Sequence, residues 1–271
     1  MQLPEQPNVL DMFFNPQAVA VIGASRTPGK LGHAVLHNVV GYGYRGPIYP
    51  VNPKADEILG LKCYPSVLAV PGPVDLAVVS IPSRHVAAAL RECGEKGVQG
   101  AIVISAGFRE VGSEGWQRER EIVAIARQYG LRFVGPNCLG IIDTISSLNA
   151  SFAAGMPRRG GIAFMSQSGA LCTSILDMAL AENVGFSRFV SLGNKADADE
   201  ITFIRAWEHD LPSSVIMTYV EGIDRGVEFM QVARQVTREK PIIAIKSGTT
   251  DAGSRAVSLH TGTLAGSERA Y

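Results

Sequence analysis

The chain has 271 residues, 46% of them hydrophobic and 18% charged, which excludes a disordered chain and leaves material for one large or two medium domains. Its 25 basic and 25 acidic side chains cancel, so neither nucleic acid nor an anionic membrane is expected as a partner. Any anionic ligand then has to be held locally, by loops and helix ends.

From Met1 to Asn15 there is no basic stretch followed by a long apolar one, so no secretory signal is expected. No apolar run approaches the roughly 18 residues needed to span a bilayer. Cys63, Cys93, Cys138 and Cys172 form no C-x-x-C pair, and they read as reduced thiols of a cytoplasmic protein. Short apolar runs then alternate with segments of helical period. Strands are predicted at 18–22, 48–51, 76–81, 101–104 and 131–134, and helices at 31–40, 84–96 and 115–129. Continuous apolar strands separated by helices signal an α/β fold with a parallel sheet covered on both faces. A mixed stretch, 146–161, marks a boundary, dividing the chain into 1–145 and 146–271. A second series follows: strands at 162–165, 189–192, 215–220 and 242–245, helices at 170–181, 200–209 and 226–239. After Lys246 comes a loop rich in glycine, serine and threonine with no helix behind it. The second domain is therefore expected to be truncated.

The loop Gly23 to Gly32 leaves a buried strand and opens a helix, where Ser25, Gly29 and Lys30 lie. Backbone N–H groups in such a loop can cradle a phosphate, although an ordinary glycine-rich turn would look the same. The spacing is not G-x-G-x-x-G, and where a dinucleotide site would carry an acidic residue this chain has Pro53-Lys54. Both features disfavour an NAD(P) oxidoreductase. Lys54 suits a phosphorylated ribose, or is simply solvated. Pro82, Ser105 and Gly107 end the next two strands, at the edge where open α/β sheets bind ligands. Asn137 and Cys138 sit in the turn Gly135 to Gly140 at the same edge, the cysteine either buried or near a reactive end. Ser166-Gln167-Ser168-Gly169 opens the first helix of the second series, as a cap or as an anion site. His260 lies in the final loop, and Glu221 ends a strand of the same sheet. A carboxylate near an imidazole fixes its tautomer, which points to nucleophilic histidine chemistry. No metal-ligating set is expected.

In this order the motifs resemble one family, the NDP-forming acyl-CoA synthetases. The likeness is to the α-subunit or α-domains of ADP-forming acetyl-CoA synthetase and, more distantly, to succinyl-CoA synthetase. It runs from about Phe13 to Ser267 and is carried by Gly135-Pro136-Asn137-Cys138, Ser166-Gln167-Ser168-Gly169 and His260-Thr261-Gly262-Thr263-Leu264-Ala265-Gly266. The resemblance implies a Rossmann-like CoA-binding domain followed by a flavodoxin-like CoA-ligase domain. It also implies an activity: acyl-CoA, phosphate and ADP are interconverted with acid, CoA and ATP through an acyl phosphate and a phosphohistidine. His260 would carry the phosphoryl group and Glu221 would hold the histidine. Ser166 to Gly169 would receive the phosphate, while the glycine loop, Lys54 and the strand ends would bind coenzyme A. ATP or ADP with Mg2+ would bind only through an ATP-grasp domain or subunit outside this chain, so an oligomer is expected. Leu259 stands where many relatives have serine, and Thr173 where succinyl-type enzymes have tyrosine, which disfavours succinate. The competing reading is a CoA-sensing regulatory module of a protein acetyltransferase.

Overall fold

The computed structural model describes residues 8–248. His260 and its loop therefore lie outside the described residues. The chain opens with α1 (Val9–Phe14), β1 (Val19–Ile22), α2 (Leu31–Gly41) and β2 (Ile48–Val51). A small antiparallel pair follows, β3 (Glu57–Ile58) and β4 (Leu61–Lys62), then β5 (Leu76–Val79), α3 (Ser83–Lys96), β6 (Gly100–Val103), α4 (Ser113–Tyr129) and β7 (Arg132–Val134). Strands β2-β1-β5-β6-β7, in that order, make a five-stranded, all-parallel sheet.

Both faces of this sheet are covered, which is why its strands read as unbroken apolar runs. Ala20, Ala77, Val79, Ala101 and Val103 face α3 and α4, which bring Val86, Leu90, Ile122 and Ile125. Alternate residues Val19, Val21, Val78 and Ile102 face Val35, Leu36 and Val39 of α2 and the phenylalanines of α1. The short helix α1 has too few residues to show a period; Asn8 starts it by accepting from the Leu10 N–H.

The second sheet takes β8 (Gly140–Asp143), β9 (Leu148–Ser151), β10 (Arg158–Ser166), β11 (Gly185–Ser191), β12 (Val215–Val220) and β13 (Ile242–Lys246), in the order β13-β12-β10-β11-β8-β9. Its helices are α5 (Gly169–Glu182), α6 (Glu200–Trp207) and α7 (Gly226–Val236). The four strands β13, β12, β10 and β11 are parallel, while β8 and β9 form an antiparallel hairpin on β11. A connection of a few residues cannot cross over a sheet, so the hairpin has to be antiparallel. The second sheet thus begins at Gly140, and position 145/146 falls within the hairpin turn.

Helix α5 packs Cys172, Leu176 and Ala179 on Phe164, Phe186 and Phe189. On the other face α6 and α7 form a core that runs unbroken into the first sheet. Phe13 and Phe14 meet Phe203 at ring-centroid distances of 6.0 and 6.1 Å, and Phe14 meets Trp207 at 6.4 Å. Among the described residues no helix is long and apolar enough to cross a membrane.

Candidate active site

The glycine loop is shaped by contact. Gly23 has φ +92°, and a Cβ there would lie 2.6 Å from the Ser80 carbonyl oxygen. At Gly32, in the first turn of α2, a Cβ would lie 1.9 Å from the Gly23 carbonyl oxygen, so the helix can close on the loop only with glycine there. Asn52 joins this loop to the end of β2: its amide donates to the Ala24 carbonyl at 2.8 Å, and its Oδ1 accepts from the Lys54 N–H at 2.8 Å. Gly29, Lys30, Pro53 and Lys54 are exposed beside it, with Ser25 partly buried. Pro82, exposed, precedes α3, and Ser105, buried, takes the Ile81 N–H on its Oγ at 3.1 Å. Gly107 has φ +103°, and a Cβ there would lie 2.6 Å from Ser83 Oγ. These residues follow the carboxyl ends of β1, β2, β5 and β6, a ledge open to a long anionic ligand.

Where the two sheets meet lies a cavity of about 560 Å3. Asn137 and Cys138 line it from the first half, and Gln167, Ser168, Gly169 and Glu221 from the second. Six residues singled out by sequence are thereby gathered into one space, although they come from three separate segments. Ser168 is the N-cap of α5, its Oγ accepting from the Leu171 N–H at 3.3 Å. Ser166 does not reach the cavity: it is buried beneath, its Oγ accepting the Ser168 N–H and donating to the Ser168 carbonyl, each at 3.0 Å. Nothing lies within 4 Å of where a Cβ of Gly169 or Gly222 would stand, so the backbone is bare at both positions. The start of α5 therefore offers free N–H groups and the positive end of a helix dipole, which fits a phosphate. Leu31 and Ile104 from the first half, with Leu139 and Phe152 at the ends of the second-sheet hairpin, supply the apolar lining.

Gln167 fixes the strand end that carries Glu221. Its Oε1 accepts from the N–H groups of Glu221 and Gly222 at 2.8 and 3.0 Å, and its Nε2 donates to the Gly222 carbonyl at 2.8 Å. Cys138 is only 4% exposed and its Sγ donates to the Val103 carbonyl at 3.4 Å; burial pushes its thiol up to about 12.

Sequence reading missed Arg109, Glu110, Asn194 and Lys195, which line the cavity, and Glu200, which lies behind it. The Glu110 carboxylate accepts from the Gly107 and Phe108 N–H groups at 2.6 and 3.0 Å and from the Asn194 amide at 2.7 Å. Burial opposes its charge, but these donors outweigh the burial and hold the carboxyl below the usual range. Lys195 and Glu200 pair behind Gln167, where burial pushes the Glu200 carboxyl up against the opposing pull of Lys195. The only available signal was Gly193-Asn194-Lys195, a turn sequence after an apolar strand, and it reads as an ordinary loop.

Comparison with known proteins agrees with this arrangement. Residues 17–144 match a family described as a CoA binding domain, and residues 159–271 one described as a succinyl-CoA ligase like flavodoxin domain. Over 97% of its length the chain is 47% identical to the acetate–CoA ligase (ADP-forming) II subunit alpha of Pyrococcus furiosus, covering 57% of that protein. It is 48% identical, again over 97% of its length, to acetate–CoA ligase (ADP-forming) I of Archaeoglobus fulgidus, covering 38% of it. A solved structure of the dinucleotide forming acetyl-coenzyme A synthetase 1 of Ca. Korarchaeum cryptofilum, in complex with phosphate and ADP, matches 96% of the chain and 56% of its own, with a TM-score of 0.92 and 46% identity. The chain thus spans about half the length, or less, of the relatives it matches. With both halves matched in this order, and relatives this similar along nearly its whole length, the chain belongs to the NDP-forming acyl-CoA synthetases.

Proposed function

We propose that this chain is the CoA-ligase part of an NDP-forming acyl-CoA synthetase, with 1–145 as its CoA-binding part and 146–271 as its phosphohistidine part. The supporting observation is the cavity between the sheets, where the open start of α5, the Glu221 strand end and the Cys138 turn face one another. The ledge of Gly23, Ser25, Lys30, Lys54 and Pro82 leads to it from the first sheet, with Leu31 at the join. Coenzyme A would lie along that ledge with its thiol end near Cys138. A phosphate held at Ser168–Gly169 attacks the thioester carbonyl of an acyl-CoA there; the C–S bond breaks, and CoA and an acyl phosphate result. A ring nitrogen of His260 then attacks the phosphorus and releases the carboxylic acid. Glu221 holds the opposite ring N–H, which leaves the attacking nitrogen bare and favours the charge that develops. ADP, with Mg2+, accepts the phosphoryl group in an ATP-grasp domain or subunit. Cys138, neutral and buried, takes no covalent part. The reading as a CoA-sensing regulatory module is not favoured, because the relatives named above are ligases. A cytoplasmic setting fits the reduced thiols.

The test uses the chain together with its ATP-grasp part and ATP labelled at the γ-phosphate. An acid-labile, base-stable phosphate is expected on this chain, and His260→Ala is expected to abolish both label and turnover. A His260→Ala enzyme that still takes up label and forms acyl-CoA would overturn the reading.

A further inference from the structure

One buried ion pair has no part in the steps above. Lys195 stands in the loop after β11 with φ +46°, and its side chain is 7% exposed. Its Nζ donates to the Gly222 carbonyl at 2.6 Å and faces the Glu200 oxygens at 3.3 and 3.4 Å and Asp224 at 3.4 Å. The ammonium thus spends its donors on oxygens of this chain, although the residue lines the cavity. Glu200 is 1% exposed, and its second partner is Gln167 Nε2 at 3.4 Å. Gln167 and Lys195 therefore meet on the same carbonyl, that of the residue directly after Glu221. From the opposite side Lys246 Nζ donates to the Glu221 carbonyl itself at 3.0 Å.

The lysine is in turn held from the first sheet. The Asn194 N–H donates to the Pro136 carbonyl at 2.8 Å, and the Ala196 N–H to the Gly135 carbonyl at 2.9 Å. A buried ion pair contributes little net stability compared with apolar side chains of the same volume. What this pair supplies is a fixed place for a backbone turn, tied to the segment that carries Asn137 and Cys138.

We infer that Lys195, backed by Glu200, is a positioning residue that sets the place of the Glu221 carboxylate by clamping the Gly222 carbonyl from the first-sheet side. The inference rests on the reading of Glu221 as the support of the phosphorylated histidine. A misplacement of about 1 Å at a reacting centre costs on the order of 100-fold in rate, so the clamp acts on the chemical step and not on substrate affinity.

The experiment measures single-turnover histidine phosphorylation, together with kcat and KM, in the complete enzyme with its ATP-grasp part. Lys195→Met is expected to slow phosphorylation ~10- to 100-fold while the KM for CoA changes less than about 3-fold. Glu221→Gln is expected to slow it as well, and the double variant to be no slower than Glu221→Gln alone, because a clamp has nothing left to place once the carboxylate is gone. A purely structural lysine would instead give losses that multiply. Multiplying losses, or a Lys195→Met enzyme of unchanged rate, overturn the inference and leave the role of Glu221 standing. A Glu221→Gln enzyme of unchanged rate overturns both. Should Lys195→Met not fold, Glu200→Gln, isosteric and leaving Lys195 in place, is measured with the same expected pattern and the same overturning results.

Discussion

Burial pushes the Cys138 thiol up to about 12, and Cys172 likewise. A raised value favours the neutral form at every pH below it, so at pH 8 the Cys138 thiol is un-ionised. Iodoacetamide at pH 8 is therefore expected to leave Cys138 unlabelled in the native protein and to label it after denaturation. Cys138→Ala is expected to keep most of the turnover of the complete enzyme; a trapped acyl-cysteine would contradict this. Lys54 presents the opposite case, an exposed cation next to the glycine loop. Calorimetric titration of Lys54→Ala is expected to show CoA weakened more than dephospho-CoA, and equal losses would remove the ribose phosphate from its account. Gln167, Ser168 and Glu221 could be singled out in the sequence because each ends a strand or starts a helix. Lys195 and Glu200 could not, since Glu200 meets Gln167 and Lys195 meets the Gly222 carbonyl, contacts between segments that no spacing encodes.

Strands and helices of normal length were legible because burial on both faces writes unbroken apolar runs, and helices write a period. The nine-residue strand β10 shows the limit: its first half, Arg158–Gly161, is polar and glycine-rich, so the sequence reveals only 162–165 as strand. The hairpin strands, Gly140–Asp143 and Leu148–Ser151, were missed because their buried polar groups, Asp143, Asn149 and Ser151, break the apolar signal. Asp143 is buried for a reason that only the fold shows. Arg188 on β11 lies between Asp143 and Asp210, all three nearly inaccessible, with its guanidinium 5.1 Å from the Phe14 ring centroid. Arg188→Met leaves two carboxylates without their cation and is expected to cost about 3–5 kcal/mol in urea denaturation. At the glycine loop, Gly32→Ala drives a methyl group into the Gly23 carbonyl. A loss of ~1–3 kcal/mol and a weaker Kd for CoA are expected together, because α2 has to back away from the loop. An unchanged CoA affinity would show that the loop does not form the coenzyme ledge.

At the scale of the whole molecule the two sheets behave as parts of one body. One core passes from β1 through the α1 phenylalanines to Trp207, and the loop 193–198 lies along β7. There the Asn194 amide reaches Glu110 and Glu119 at 2.7 and 2.9 Å, and Asp197 takes Arg132 and the Phe133 N–H at 2.9 and 2.8 Å. Calorimetric unfolding is therefore expected as a single transition, with Asp197→Ala lowering its midpoint without splitting it; two resolved peaks would refute the coupling. The change of composition suggested a boundary at 145/146, but that position lies in the turn of the hairpin, whose place in the second sheet depends on pairing with β11 far along the chain. That hairpin also sets a schedule on the ribosome. The first sheet is complete once Val134 has emerged, yet Asn38 of α2 still lacks the Ser151 and Ala153 carbonyls to which its amide donates at 2.8 Å. When these arrive, the hairpin waits with an unpaired edge until β11 is synthesised. A nascent chain stalled in that interval exposes a ready-made edge strand, the kind of surface that chaperones cover.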